Sequence, residues 1–267
     1  MLLVSPLLDK YFRSKLKNEN TRRAYYQKAL KKELRNSKLG QIALRNLNEL
    51  MAENTLYHKE FEELLNGKNY QEAFWESDLG YLWYQGNLQV QNSYFALALE
   101  EINKHKYTSV LDVGCGWGEF TAKAAACISV NHTLGIDISV NIIAKAKELQ
   151  RNSKAVFECI DAKNISEKFD LITLFGSTDY IPPIEFPIVL EKLILSTNKQ
   201  IILVNSLRKV SFDNALTLTT AQEIKRYDTG CVQPIKYLLD KLKEKYAFTF
   251  NIEKAGLDSV IARIYKA

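Results

Sequence analysis

The segment VLDVGCGWGEF, residues 110–120, constrains this chain most, because it places three glycines between a short apolar strand and a helix. Glycine lets a backbone approach a ligand without a clash at Cβ. The start of the following helix adds free N–H groups and the positive end of the helix dipole. Since ligands of open α/β sheets bind beyond the carboxyl ends of the strands, the segment predicts a ligand-binding loop at such an edge.

The spacing of the glycines, GxGxG, narrows the class of ligand. A dinucleotide enzyme has GxGxxG, and Glu119 takes the place of its third glycine, where a carboxylate would face a pyrophosphate. A P-loop is excluded because no GK[ST] follows.

Two further acids suit an adenosine ligand. Asp137 ends the second predicted strand in GIDIS, where it can accept both ribose hydroxyls, and Asp161 follows the third in FECIDA, where it can accept the adenine amino group.

Strands and helices alternate from Tyr107 onward, which predicts a mostly parallel sheet with helices on both faces. The last two strands have no helix between them and should pair as an antiparallel hairpin. We therefore predict an α/β fold with a seven-stranded sheet and a C-terminal hairpin, preceded by an N-terminal helical region. The predicted strands are 110–113, 132–138, 155–160, 169–175, 200–205, 247–252 and 259–265, and the predicted helices are 119–128, 140–151, 184–195 and 234–246.

The predicted domain organisation has three parts. Residues 1–70 form a helical accessory region, 71–105 an aromatic segment with a lead-in helix, and 106–267 the α/β domain, with an insertion at 208–233. Residues 1–60 hold thirteen Lys/Arg and six Asp/Glu, a balance of +7, whereas the whole chain carries +5. Such a basic arm can bind an anionic partner, or it can be the solvated face of helices.

The chain from about Tyr107 to its end, about 60% of the whole, resembles the class I, Rossmann-like S-adenosylmethionine-dependent methyltransferases. VLDVGCGWGEF matches the first motif of that family, GIDIS the next, CIDA the acidic adenine motif and FDLITLFGS the fourth-strand motif. The terminal hairpin matches the sixth and seventh strands. The resemblance implies methyl transfer from S-adenosyl-L-methionine, with S-adenosyl-L-homocysteine as the product. It says little about residues 1–70.

Cofactor-binding roles follow from the resemblance, position by position. Asp112 and the 114–118 backbone would hold the methionine part, Asp137 the ribose, and Phe175 with Gly176 would line the methionine end near the methyl group. Ile138 would pack against the adenine, while Asp161 and the Ala162 backbone would read its edge. The implied cofactor-binding set is Asp112, Gly114, Cys115, Gly116, Gly118, Asp137, Ile138, Asp161, Ala162, Phe175 and Gly176.

The loop after the fourth strand, STDYIPP, is the usual place for acceptor-side residues in this family. Asp179 and Tyr180 are the candidates for a catalytic base or for positioning the acceptor, with loop structure ahead of Pro182 as the competing interpretation. The [DNS]PP[YF] motif of enzymes that methylate base amines does not follow this strand. No acid cluster for magnesium was found, so no metal is predicted. His58, His105 and His132 all fall outside the loop.

Two further segments contain candidate substrate contacts. In relatives, the segment before the sheet folds over the cofactor as a lid, which points to Tyr81, Trp83, Tyr84 and Gln85 as walls of an acceptor pocket; packing between helices and sheet is the alternative. In the insertion, Arg208, Arg226, Tyr227 and Asp228 are candidate contacts to an anionic acceptor, and solvated loop charge is the alternative.

The function predicted from sequence is methyl transfer to O or N of a polar small molecule or a sugar- or glycan-linked intermediate. The alternatives are an RNA methyltransferase that uses the basic N-terminal helices, and a non-catalytic protein that binds S-adenosylmethionine. A reading as an aminopropyltransferase, which shares the fold, is disfavoured by GCGWG. No stretch reaches the ~20 apolar residues of a membrane span, and the four scattered cysteines suggest reduced thiols, so we expect a cytoplasmic protein. The sequence leaves the oligomeric state open.

Overall fold

The computed structural model describes residues 75, 78–207, 210–224, 230–255 and 259–267. The predicted helices of the 1–70 region lie outside these residues. Contacts divide the chain into two units, one of residues 1–90 with 226–228 and one of residues 91–225 with 229–267. The architecture below is that of the second unit, together with the helix of residues 78–105, which belongs partly to each unit.

A seven-stranded sheet forms the centre of this unit, in the order β3-β2-β1-β4-β5-β9-β8. Strands β1 to β5 are parallel, and β9 and β8 add the antiparallel hairpin at one edge. The strands are β1 (Ser109–Val113), β2 (His132–Asp137), β3 (Val156–Cys159), β4 (Phe169–Phe175), β5 (Thr197–Ser206), β8 (Phe248–Ala255) and β9 (Ser259–Lys266). The predicted fold class is therefore confirmed.

The chain first builds outward from β1 to β2 and β3, and then returns to the other side of β1 to form β4 and β5. Asp112 of β1 accordingly pairs in register with Gly135 of β2 on one side and Thr173 of β4 on the other. A topological switch point therefore lies between β1 and β4, where the loops that follow these two strands leave in opposite directions. They open a crevice at the carboxyl edge of the sheet, which is where ligands of such folds bind.

The helices are α1 (Asp78–His105), α2 (Glu119–Ala125), α3 (Val140–Leu149), α4 (Phe186–Ser196), α5 (Phe212–Thr217) and α6 (Ile235–Lys243). Their apolar residues recur with helical spacing, as Phe95, Ala98 and Ile102 do on α1, and all three are buried. A continuous core joins β1, β2, β4, β5 and the hairpin to α4 and α6. Strand β4 is buried over its first six residues, as a central strand covered on both faces requires.

The start of α1 and the end of α2 differ from those expected, and several other boundaries differ by one to three residues. Helix α1 was predicted only for the second half of residues 85–105, but it begins at Asp78, so the aromatic residues 81–84 are helical. Gly80 and Gly86 lie inside it, which a long helix tolerates at about 1 kcal/mol each. Helix α2 ends at Ala125 instead of Ile128, because the next two backbone N–H groups bond three residues back and tighten the chain into a turn.

The segment predicted as an insertion, 208–233, holds α5 and a small antiparallel pair, β6 (Gln222–Ile224) with β7 (Gly230–Val232), among its described residues. Ser211 caps α5 by accepting a hydrogen bond from the backbone of Asn214. Strand β7 then leads into α6 through Gln233 and Pro234. The insertion therefore ends directly beside the carboxyl end of β5.

Candidate cofactor-binding site

The glycine loop between β1 and α2 is anchored to the end of β2. The backbone N–H groups of Gly114 and Cys115 both donate to the carbonyl of Ile136, at 2.8 and 2.9 Å. Gly116 and Gly118 have φ of 53° and 80°, which L side chains rarely adopt. The loop is thus held in a conformation that only its glycines take without strain.

Asp137 ends β2, and its carboxylate is oriented by two backbone donors. Gly116 N–H donates to one oxygen at 3.4 Å and Ser139 N–H to the other at 3.0 Å. The first bond ties the carboxylate to the glycine loop, and the second places it at the start of α3, where Ser139 is the N-cap. Ile138, between them, is 76% exposed, so its apolar side chain is available beside the carboxylate.

Asp112 lies beneath the glycine loop instead of projecting from it. Its buried carboxylate accepts hydrogen bonds from the hydroxyls of Thr121 on α2, at 2.7 Å, and Thr173 on β4, at 3.1 Å. Burial raises the pKa of Asp112 to about 6, and the two hydroxyl bonds only partly oppose this. Its carboxylate braces the strand, the helix and the neighbouring strand against one another.

Asp161 follows β3 and caps a single helical turn, Ala162–Asn164, by accepting from Lys163 N–H at 2.9 Å. The Lys163 ammonium lies 3.2 Å from Asp161 and 2.6 Å from Glu185 at the start of α4. These two carboxylates raise the pKa of Lys163. The carboxylate expected to read the adenine is therefore held through a lysine that the sequence analysis did not single out.

Phe175 ends β4 and Gly176 follows it, opposite the glycine loop. The Phe175 ring meets Phe120 of α2 edge-on at 4.9 Å and packs against Phe95 of α1 at 5.4 Å. A Cβ built on Gly116 or on Gly176 would meet no heavy atom of the described residues within 4 Å. Within the described residues, the backbone at both glycines is therefore free of close neighbours on the side where a side chain would project.

The loop after β4 is fixed by a buried polar network. Asp179 is only 3% exposed, and one of its oxygens accepts from Asn205 Nδ2 at 2.6 Å and from Ser206 N–H at 2.9 Å. Gln233 donates to carbonyls of the same loop. Asn205 and Gln233 were missed from the sequence, where the available signal was a polar residue closing the apolar strand IILVNS and another directly before Pro234.

The predicted substrate contacts in the aromatic segment and the insertion lie in the unit of residues 1–90 or outside the described residues. Tyr84 is buried and Tyr81 is half-buried, and both lie in the unit of residues 1–90. The side chains of Trp83 and Gln85 lie outside the described residues, as do Arg208, Arg226, Tyr227, Asp228 and His58. His105 and His132 lie at the opposite edge of the sheet, before β1 and at the start of β2.

Among the described residues, no group of three or more His, Cys, Asp or Glu side chains is placed to hold a metal ion. In the same part of the chain, no helix is long and apolar enough to cross a membrane.

A glycine loop after β1, a carboxylate at the end of β2 and a topological switch point between β1 and β4 thus lie on one doubly wound sheet, an arrangement typical of Rossmann-like proteins. Residues 104–252 match the family model described as a methyltransferase domain. The chain belongs to this family of class I, S-adenosylmethionine-dependent methyltransferases, and S-adenosylmethionine is the cofactor that the family implies.

Individual relatives match over shorter segments. The chain is 35% identical over 81 residues to trans-aconitate 2-methyltransferase of Deinococcus radiodurans, covering 30% of this chain and 31% of the relative. It is 31% identical over 85 residues to the mitochondrial ubiquinone biosynthesis O-methyltransferase of Saccharomyces cerevisiae, covering 30% and 27%. These matches span about a third of the relatives' lengths. The crystal structure of the plantazolicin methyltransferase BpumL, in complex with a monoazolic desmethylPZN analog and SAH, superposes with a TM-score of 0.55 at 20% identity. It covers 79% of this chain and 99% of that one, and shows the shared fold.

Proposed function

We propose that this protein transfers a methyl group from S-adenosylmethionine to an oxygen or nitrogen of a polar small molecule or of a sugar- or glycan-linked intermediate. The observation that carries the proposal is the Asp137 carboxylate at the carboxyl end of β2, which accepts a hydrogen bond from the glycine loop at Gly116. A carboxylate at this position can accept both hydroxyls of a ribose. The names of the two curated relatives specify small-molecule chemistry, which favours this acceptor class over RNA.

The cofactor supplies a sulfonium methyl group, which is already a good electrophile. The chain's own residues then have three tasks, which are to bind the adenosyl and methionine parts, to align the acceptor and to keep water out. Asp137 and Ile138 are assigned the ribose and one adenine face, Asp161 and Ala162 the adenine edge. The 114–118 backbone and Gly176 are assigned the methionine part.

On the acceptor side, Asp179 and Tyr180 carry different proposed roles. The Asp179 carboxylate is buried and accepts two short hydrogen bonds, which supports a role in holding the loop rather than in taking a proton from an acceptor. Tyr180 follows it and is half-buried. We therefore assign the contact with the acceptor to Tyr180, and use of Asp179 as a base would first require release of Asn205.

Calorimetry with S-adenosylhomocysteine tests the cofactor site. The wild type should bind, and Asp137→Ala should bind at least about 100-fold more weakly, because each hydrogen bond to a charged group contributes about 1.5–3 kcal/mol. Asp170→Ala is the matched control, since Asp170 lies at the opposite edge of the sheet and pairs with Thr108 and Lys199. No binding by folded wild type, or equal binding by Asp137→Ala, contradicts the proposal.

The acceptor class is tested with methyl-labelled S-adenosylmethionine and separate small-molecule, glycan-lipid and RNA fractions of a cell extract. Label should enter the small-molecule or glycan-linked fraction at O or N. Label in RNA alone would replace the proposed acceptor by the nucleic-acid alternative. An absence of transfer to every fraction by a protein that binds the cofactor would favour a non-catalytic binding role.

A further inference from the structure

Two buried amide side chains, Asn205 and Gln233, hold the loop that follows β4. Asn205 is fully buried at the end of β5, and Gln233 is 2% exposed at the end of the insertion. Neither belongs to a motif that the family resemblance identified. Polar side chains in such positions are costly unless they are hydrogen-bonded, so their partners indicate why the core contains them.

Asn205 joins three segments with its single amide. Its Nδ2 donates to the Asp179 carboxylate at 2.6 Å and to the carbonyl of Cys231 at 3.2 Å. Its Oδ1 accepts from the backbone N–H of Gln233 at 2.8 Å. Both ends of the amide are therefore used, and the β4 loop, β5 and the end of β7 are fixed to one another.

The Gln233 side chain binds the backbone of the loop after β4. Its Nε2 donates to the carbonyls of Thr178, at 3.1 Å, and Ile181, at 2.8 Å. These two carbonyls flank Asp179 and Tyr180, so one side-chain amide sets the curvature of the segment between them. Its Oε1 is buried without a hydrogen-bond partner among the described residues. Because this oxygen has no such partner, the structural contribution of the amide lies in the hydrogen bonds that Nε2 donates.

We propose that Asn205 and Gln233 are positioning residues for methyl transfer, which act by presenting Tyr180 to the acceptor. This inference rests on the proposed function, since it assigns a task to the loop after β4, residues 177–183, which we call the acceptor loop. The two amides act through the loop and do not touch the reacting atoms. Because Gln233 closes the 208–233 insertion, the placement of the acceptor loop depends on the fold of that insertion, whereas the cofactor contacts on β1, β2 and β3 do not.

The experiment compares Gln233→Leu with Gln200→Leu. Gln200 is also a fully buried glutamine, but it lies at the start of β5 and accepts from Tyr107 at the opposite edge of the sheet. Urea melts measure the loss of stability in each variant, and calorimetry measures affinity for S-adenosylhomocysteine. The rate of label transfer from methyl-labelled S-adenosylmethionine is measured at a series of dilutions of the small-molecule extract. The series gives the maximal rate and, separately, the amount of extract at which half of that rate is reached.

We expect Gln233→Leu to bind S-adenosylhomocysteine within about threefold of wild type and to lose about 10- to 100-fold in maximal rate, as misplacement of a reacting group by about 1 Å does. Gln200→Leu should keep its rate despite a similar loss of stability. Equal transfer by Gln233→Leu and wild type overturns this proposal alone. So does a parallel loss of cofactor affinity, which would place the effect at the cofactor site. No transfer by wild type overturns the proposed function together with this inference.

Asn205→Asp gives a second measurement that stays informative if Gln233→Leu does not fold. The new carboxylate would face Asp179 at the 2.6 Å position of the present amide, where repulsion between the two carboxylates disfavours ionisation of both and raises the pKa of one of them. We expect its maximal rate, relative to that of wild type at the same pH, to recover at least about tenfold from pH 8.5 to pH 6, where the pair can share a proton. A ratio that does not change with pH overturns the role of Asn205.

Discussion

The Thr121 hydroxyl donates to the Asp112 carboxylate at 2.7 Å, and this buried bond ties the helix after the glycine loop to the first strand. Thr173 adds a second hydroxyl at 3.1 Å from the neighbouring strand. Two neutral donors compensate a buried charge only in part, so burial raises the pKa of Asp112 to about 6. The protein is therefore most stable when the Asp112 carboxyl group, beneath the glycine loop, is protonated.

The first prediction concerns the pH dependence of stability. The unfolded chain releases the Asp112 proton near pH 3.8 and the folded protein only near pH 6, so the native state binds more protons in this window. The free energy of unfolding should therefore fall as pH rises through the window. Relative to Asp112→Asn, the wild type should lose about 2 kcal/mol between about pH 4 and pH 7. Urea melts of the cofactor-free proteins measure the difference.

The control for this measurement is Asp213→Asn, which alters an exposed acid on α5. Its pH profile should follow that of wild type. Parallel profiles for wild type and Asp112→Asn would show that the buried carboxylate does not hold its proton, and would contradict the proposed environment of Asp112.

The second prediction separates two glycines that the sequence motif treats alike. A Cβ on Gly118 would lie 2.6 Å from the Phe157 ring, at a φ of 80°. Phe157 is packed against Cys115, Ile143 and Ala146, so the ring has little room to move. Gly118→Ala should lower the free energy of unfolding by about 2–4 kcal/mol, through backbone strain and overpacking together.

Gly116→Ala should behave differently, because its Cβ would meet no atom of the described residues within 4 Å. Strain at φ 53° costs about 1–2 kcal/mol. The added methyl group would enter the space assigned to the cofactor, so affinity for S-adenosylhomocysteine should fall at least tenfold. Melts and calorimetry on both variants check the contrast. Unimpaired binding by Gly116→Ala would remove Gly116 from the proposed cradle.

Local signals in the sequence were enough to predict the sheet. The alternation of strands and helices and the missing helix before β9 determine the parallel order and the terminal hairpin, because each element is recognisable from its own periodicity. The carboxylates at the ends of β1, β2 and β3 were likewise found by position, since the carboxyl ends of parallel strands share one edge of the sheet. The directions of those side chains were not predictable, and Asp112 proved to point inward.

The network around the acceptor loop was outside the reach of sequence reasoning. Asn205 and Gln233 are 28 residues apart, and they meet only because the intervening insertion returns to the end of β5. Nothing in the local pattern specifies that return. The same limit applied to Asp179, whose buried carboxylate accepts hydrogen bonds from Asn205 and Ser206, 26 and 27 positions further along the chain.

The third prediction tests the adenine face with two isoleucines. Ile138 follows Asp137 and is 76% exposed, and Ile128 is fully exposed in the loop that leads into β2 at the opposite edge of the sheet. Replacing either by alanine should change the free energy of unfolding by less than about 0.5 kcal/mol, since surface substitutions usually do.

Only Ile138→Ala should weaken S-adenosylhomocysteine binding, by about three- to tenfold, because alanine would lose most of the apolar contact that we assign to Ile138 and the adenine ring. Calorimetry on both variants, with melts to verify that each remains folded, gives the comparison. Equal affinities for the two variants would mean that the adenine lies away from Ile138. That result would require a different assignment of the adenine face, while Asp137 would keep the proposed contact with the ribose.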